Sequence, residues 1–481
     1  MSDPGWARIA SFRTVEAFRT HLAKGGIPLE LDDTLAGPGE TPFAQSIEAD
    51  GLRAGNRLCV LPMEGWDGSA TGEPSDLTRR RWRRFGQSGA KLIWGGEAAA
   101  VRHDGRANPR QIVVTEATWE ALARMRDGLV EAHEERYGKG GASDLVTGLQ
   151  ITHSGRYARP NDWDKPEPLV AFAHPVLDKR FPGGVRLLSD DELERLAADY
   201  VRAAALAKRA GFQFVDFKHC HGYLCHELLA GRARKGRFGG DFEGRTRFLR
   251  TVIAGIRAEV PGLRIAVRLS AFDTVPFRKN ADGRGEPERE DAGYGSAFGL
   301  LSGEALDEAL AESRELLGLL RSLGVRWISI SAGSPYYNPH LQRPALFPPS
   351  DAYLPPEDPL RGVARQIEAT ARLKADFPEL VFVGSAYSYL QEWLAHVGQR
   401  VLRERRADLV GLGRMVLSYP ELAADVLAGR PLDRKRICRT FSDCTTAPRK
   451  GLPSGCYPLD PFYAERPEAA ELKEIKQALR A

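Results

Sequence analysis

Gly211-Phe-Gln-Phe-Val-Asp-Phe-Lys-His-Cys-His-Gly-Tyr-Leu224 is the stretch on which the reading of this chain turns. Of the seven residues from Gly211 to Phe217, four are apolar and three of those are aromatic, the composition of a buried strand after a glycine. The strand then ends in Lys218, His219, His221 and Tyr223, so several titratable groups arrive together at one edge of a sheet. In a parallel barrel that edge is where chemistry gathers, because the loops leaving the carboxyl ends of the strands are free to vary. Taken alone, the segment could still be a strand running into a polar loop with no task.

Outward from this segment, strand-like and helix-like patterns alternate. Strands are expected near 57–62, 91–97, 145–152, 213–218, 264–270, 326–331, 380–384 and 408–412. Helices are expected near 76–88, 115–135, 189–209, 243–259, 303–323, 360–375, 388–404 and 420–428. Strands that are apolar on both faces, each followed by a helix, indicate an α/β chain folded as a (β/α)8 barrel. An open doubly wound sheet would alternate in the same way, but no G-x-G-x-x-G follows the first strand. Residues 1–50 read as an amino-terminal arm, 51–430 as the barrel, and 431–481 as a carboxyl-terminal extension with a final helix over 468–479. Two long loops, 272–299 and 332–359, follow strands; their aromatics and prolines mark them as ordered covers over the barrel mouth.

Composition narrows the class. At roughly 150 residues per domain, the length alone would allow about three domains. Charge is nearly balanced, 68 basic against 64 acidic residues, so no polyanionic partner and no nucleic acid is expected. The basic run Arg79-Arg-Arg-Trp-Arg-Arg84 falls in a helical pattern and reads as a solvated helix face. Six cysteines in a chain of this length do not make a disulfide framework. Met1-Ser-Asp-Pro-Gly-Trp6 does not have the form of a secretory signal, and no apolar run reaches the ~18 residues of a membrane span. A cytoplasmic protein acting on a small molecule, away from membranes, is expected; homo-oligomerisation stays open.

Five motifs at strand ends or helix starts then occur in order. They are Gln150-Ile-Thr-His-Ser-Gly-Arg156, His221-Gly-Tyr-Leu224, Phe238-Gly-Gly-Asp-Phe-Glu-Gly-Arg-Thr-Arg-Phe248, Val267-Arg-Leu-Ser270 and Asp408-Leu-Val-Gly-Leu-Gly-Arg414. Together they resemble the old yellow enzyme family of NADH:flavin oxidoreductases, from about Asn56 to about residue 430. The resemblance implies a barrel holding flavin mononucleotide (FMN) at its mouth and reduced by NADH or NADPH. Gly384 and Ser385 close the seventh strand, and Gly413 and Arg414 the eighth, where barrels commonly bind phosphate through backbone N–H groups. The resemblance puts the FMN phosphate there, Arg268 and Gln150 at the polar edge of the flavin ring, and Pro62, Met63 and Ala98 against the ring itself.

The resemblance also assigns the reacting centre. Lys218 and His221 stand where the family places two donors that hold the oxygen of an unsaturated carbonyl, and preorganised donors stabilise the charge that oxygen gains. Tyr223 stands at the family's proton donor, and an ordinary phenol is protonated at neutral pH. Two residues depart from the pattern: Lys218 itself, and Glu64 where a small residue is usual. Glu64 and Lys218 are expected either to pair across the pocket or to bind a polar substrate together, with Tyr336 from the second long loop as a further substrate contact. Trp66 and Asp67 are candidates for the same wall.

Cys438, Cys444 and Cys456 resemble part of the four-cysteine iron–sulfur motif of larger relatives, with Phe441 in place of one ligand. Buried structural thiols, and no cluster, are expected. The function expected is hydride transfer from NAD(P)H through FMN to an activated alkene. The alternative is a flavin-dependent amine dehydrogenase or N-demethylase. Outside the class stand a flavin-free lyase with Lys218 as Schiff-base nucleophile and a non-catalytic flavin-binding module.

Overall fold

Short, doubly buried strands determine the architecture. The computed structural model describes residues 5–288 and 294–479. Eight parallel strands close on themselves: β1 (Leu58–Val60), β2 (Leu92–Ile93), β3 (Val146–Thr152), β4 (Phe214–His219), β5 (Arg264–Ser270), β6 (Trp327–Ser331), β7 (Val381–Gly384) and β8 (Leu409–Leu412). β8 pairs with β1, and β2 with β3, so no edge is left exposed. The main helices of the outer layer are α1 (Asp76–Gly86), α2 (Trp119–Tyr137), α3 (Asp190–Arg209), α4 (Phe242–Glu259), α5 (Ala311–Ser322), α6 (Pro359–Asp376), α7 (Leu394–Arg403) and α8 (Leu422–Leu427). Their starts are written locally. Ser189 and Glu192 form a reciprocal capping box on α3, and Asp241, inside the third quoted motif segment 238–248, accepts the Gly244 N–H to cap α4. Among the described residues no helix is long and apolar enough to cross a membrane.

The second strand departs from expectation. It breaks after Ile93 at Gly95 and Gly96, both at positive φ, and resumes as Ala98–Ala100 paired with Gln150–Thr152. A Cβ on Gly95 would stand 2.7 Å from the Gln150 nitrogen, and one on Gly96 2.5 Å from the Trp82 ring, so only glycine fits either position.

The arm is part of the barrel's packing. An antiparallel hairpin, Ile47–Ala49 with Leu52–Ala54, closes the amino-terminal end, where Ile47 and Leu52 cluster with Trp94, Phe214 and Trp327. Trp327 Nε1 donates to the Ala49 carbonyl at 3.1 Å. The division expected at 50/51 falls in the turn of this hairpin, because the plug needs both of its strands. Residues 1–4 of the arm and 480–481 of the extension lie outside the described residues, as do 289–293 of the first long loop. The extension has a small core of its own, Ala447, Leu452, Tyr457, Tyr463 and Leu472, with Leu77 of α1 packed against it.

That contact overturns the solvated face expected for the basic run. Arg80 makes a two-pronged pair with Asp460 of the extension at 2.9 and 3.1 Å. Arg81 is buried; it bonds Asp67 at 2.6 and 2.8 Å and Glu97 at 2.7 Å. The loop after β1 and the extension cover α1 on the side that the local sequence would leave to water. Arg81→Met would strand two buried carboxylates, and breaking a buried pair in this way costs about 3–5 kcal/mol. A fall in thermal unfolding temperature of several degrees is the expected result; an unchanged midpoint would show that Asp67 and Glu97 find other partners.

Candidate active site

The carboxyl ends of the strands surround one elongated cavity. Of the residues singled out in the sequence, Pro62, Met63 and Glu64 reach it from β1, Gln150 from β3, and Lys218, His221 and Tyr223 from β4. Arg268 reaches it from β5, Tyr336 from the loop after β6, Ser385 from the end of β7, and Gly413 and Arg414 from the end of β8. Trp66 lines it as well; Asp67 does not, being turned to Arg81. Ala98 is also absent from the wall. It lies beyond the Gly95–Gly96 break, fully buried, with its carbonyl accepting from Gln111 Nε2 at 2.9 Å. Gly384 stops one residue short of the wall, packed so that a Cβ would lie 2.9 Å from the Tyr387 hydroxyl.

At one end a single carboxylate holds two groups, and a third is bonded to one of them. Lys218 Nζ donates to Glu64 Oε1 at 2.5 Å, and the Tyr223 hydroxyl donates to Glu64 Oε2 at 2.6 Å. The ammonium also sits 3.7 Å from the centre of the Tyr223 ring, a cation–π contact. Tyr336 adds its hydroxyl 3.0 Å from that of Tyr223, and its own ring stacks on Tyr157 at 3.8 Å. Burial, then the Glu64 charge, pushes the Tyr223 phenol well above its usual range, so it stays protonated. Glu64 is itself held by its neighbours: the Gly65 N–H donates to buried Glu97 at 2.9 Å, and the Met63 N–H to the Gly96 carbonyl at 3.0 Å.

His221 and Gly222 take left-handed backbone at the end of β4, with φ of +68° and +75°. The turn is fixed from both sides: the His221 N–H donates to Ser270 Oγ at 3.0 Å, and a Cβ on Gly222 would come within 2.8 Å of the Tyr337 ring. Burial, then Arg268 and Lys218, pushes the imidazole far below its ordinary value, so the ring is neutral. Its Nε2 lies 3.2 Å from Ser331 Oγ.

Toward the other end the cavity wall is short of acceptors. Arg268 Nε, Ser385 Oγ and Arg414 Nη1 are buried with no hydrogen-bond partner among the described residues. Arg343 joins Arg414 there, giving hydrogen bonds to Ser442 and Thr445 of the extension, and neither guanidinium pairs with a carboxylate among the described residues. Burial, reinforced by Arg414, pulls Arg343 down to about 9. Beneath Arg268, Asp216 accepts from its N–H at 2.7 Å and from Gln150 Nε2 at 2.5 Å, which occupies one of the amide's two N–H donors and leaves its oxygen for a ligand. Burial pushes the Asp216 carboxyl up to about 6. Such a wall suits an elongated ligand with a polar ring edge at Arg268 and an anion at Arg343 and Arg414.

Sequence reading missed Arg343 and Asp216. The second was detectable as an acid inside an aromatic strand; the first sits in a proline-rich loop with no motif around it. The expectation of buried thiols needs correction too. Cys438 is buried and burial raises its thiol, but Cys444 and Cys456 are only partly covered and Cys444 lines the cavity. The extension lies along the mouth and does not fold away from it, which brings Cys444 to the wall.

The model of the NADH:flavin oxidoreductase / NADH oxidase family matches residues 139–283. The NADPH dehydrogenase of Bacillus subtilis is 29% identical over 219 residues, 45% of this chain and 58% of that protein. The NADPH dehydrogenase of Listeria innocua is 30% identical over 241 residues, 47% of this chain and 64% of that protein. The chain thus matches roughly three-fifths of the length of these curated relatives. Among solved structures, morphinone reductase superposes with a TM-score of 0.54 at 21% identity, covering 83% of this chain and 92% of that one. Histamine dehydrogenase from Rhizobium sp. 4-9 gives 0.61 at 20% identity, covering 88% and 53%. These likenesses in structure bear on the fold, a parallel barrel. The motifs and the family match over residues 139–283 make the chain similar to the NADH:flavin oxidoreductases, the old yellow enzyme family.

Proposed function

We propose that this protein is an FMN-dependent oxidoreductase that moves hydride from NAD(P)H to an activated alkene in a cytoplasmic setting. The observation that carries the reading is a cavity whose partnerless donors run from Arg268 to Arg414 and whose other end presents a protonated phenol. Arg414, Ser385 and Gly413 would hold the phosphate, and Arg268 with Gln150 the polar edge of the ring. Bound there, the flavin would supply hydride acceptance and donation at N5.

The remaining work falls to the protein. Lys218 and His221 would orient the substrate's carbonyl oxygen. Tyr223 would turn its hydrogen from Glu64 to the substrate's α-carbon as a general acid. Tyr336, 3.0 Å away, could return that proton from the solvent side. The phenol then ends as it began.

Glu64 controls both neighbours. Glu64→Gln leaves Lys218 unpaired beside the ring site, so negative charge there becomes less costly. The flavin potential should rise by roughly 30 mV, about 1.4 kcal/mol for a two-electron couple. Spectroelectrochemistry on the two holoproteins measures it; unchanged potential and substrate affinity would remove Glu64 from the site's function.

A second reading is favoured by Glu64 in particular. A carboxylate walled by Tyr223, Tyr336 and Trp66 suits a cationic amine, and the structural neighbours include a histamine dehydrogenase and a 6-hydroxypseudooxynicotine amine oxidase. Mixing the reduced protein with an enone, and the oxidised protein with a methylated amine, separates the two by which flavin spectrum changes. The enone is expected to restore the oxidised spectrum. A Schiff-base role for Lys218 is disfavoured by its ion pair with Glu64, since a bound ammonium is no nucleophile.

A further inference from the structure

A second recess opens off the reacting end of the cavity. Its volume is about 690 Å³, and it shares Trp66, Pro335, Tyr336 and Arg449 with the cavity wall. It begins where the reacting centre stops, at Tyr336. Six cationic side chains line it, Arg159, Arg180, Arg278, Lys279, Arg449 and Lys450, against three carboxylates, Asp164, Glu288 and Asp351. Two of those carboxylates are already engaged, Glu288 by Arg180 and Asp351 by Arg449 at 3.2 Å. Arg278 pairs at 2.9 Å with Glu286, which is not part of the lining. Arg159, Lys279 and Lys450 make no ion pair among the described residues; Arg159 gives one hydrogen bond to the Trp163 carbonyl at 3.3 Å. In a chain of nearly balanced charge, this concentration of unpaired cations stands at the entrance to the reacting centre. Flat faces accompany them: Trp163, Phe277 and Tyr353 line the same recess.

We infer that the recess binds the phosphorylated adenosine diphosphate tail of a ligand whose other end enters the cavity. The inference rests on reading the cavity as a redox site. A small carboxylate substrate would need one cation close to the reacting centre, whereas here the cations spread over a recess large enough for a nucleotide. Multiply charged phosphates match spread arginines and lysines, and adenine matches the aromatic faces. Two kinds of ligand carry such a tail: NADPH, with its 2′-phosphate, and coenzyme A thioesters, with their 3′-phosphate. In both, the tail is joined by a chain long enough to pass Tyr336.

The test uses the flavin-loaded protein and a Lys279→Glu/Lys450→Glu double variant, both residues lying outside the cavity wall. Each is titrated calorimetrically with 2′,5′-ADP and with coenzyme A, probes without a reducible end, at low and at moderate salt. At least one probe should bind the parent protein, at least tenfold more weakly to the double variant and more weakly at the higher salt. Binding of 2′,5′-ADP assigns the tail to the hydride donor, and binding of coenzyme A to a thioester substrate. Binding of neither, or equal binding by the double variant, overturns the inference. Flavin content is read separately from the visible spectrum, so its absence would count against the redox reading and not against the recess.

Discussion

Tyr223→Phe is expected to slow enone-dependent re-oxidation by about 10²- to 10⁴-fold, the usual contribution of a positioned general acid. The substitution removes one oxygen and little else. Phenylalanine keeps the ring against which Lys218 Nζ rests at 3.7 Å, and Lys218 keeps its bond to Glu64 Oε1. What disappears is a proton that burial and Glu64 hold on the phenol, and with it the link to Tyr336. Bleaching of the flavin spectrum by NAD(P)H needs no proton from Tyr223 and should change little. Stopped-flow measurement of the two half-reactions checks both statements. Equal slowing of both would point to a displaced ring, and no slowing of re-oxidation would take the acid role from Tyr223.

The second large effect is expected at Arg343. Two guanidiniums, Arg343 and Arg414, lie close enough for mutual repulsion, and burial lowers the first to about 9. Neither pairs with a carboxylate among the described residues, so each pays desolvation without a counter-charge. A phosphate dianion resolves both costs at once. Arg343→Met should therefore weaken FMN binding by about 10- to 100-fold, the worth of one or two hydrogen bonds to a charged group. Riboflavin has no phosphate, and its affinity should stay within about twofold. Fluorescence titration of the apoprotein with both flavins makes the comparison. Removing one of two like charges should also leave the apoprotein at least as stable, where a structural role would predict the opposite. Equal loss for both flavins would place Arg343 elsewhere than at the phosphate.

The Arg343 site illustrates why part of the centre could not be read along the chain. The strand ends announced themselves: Lys218, His221 and Tyr223 follow an apolar run, and Gly413-Arg414 closes another, so position and chemistry coincide in a few residues. Arg343 lies in a proline-rich loop, and what makes it notable is the company of Arg414 and of Ser442 and Thr445 in the extension. Arg81 is a similar case. Its neighbours in sequence are arginines on an exposed-looking helix, while its partners Asp67 and Glu97 come from loops that fold over that helix. Ala98 failed for a different reason, since a two-glycine break redirects the strand before it reaches the wall.

The barrel could be read along the chain, because period, length and apolarity of a strand are local properties and eight repeats of them allow few closures. So could the strand ends that carry proton-active groups. Tertiary structure alone decided how those groups are charged and joined. Glu64 and Lys218 are 154 residues apart, yet one carboxylate holds both that ammonium and the Tyr223 phenol. Coulomb energy and burial depend on distance in space, and neither can be read from separation along the chain.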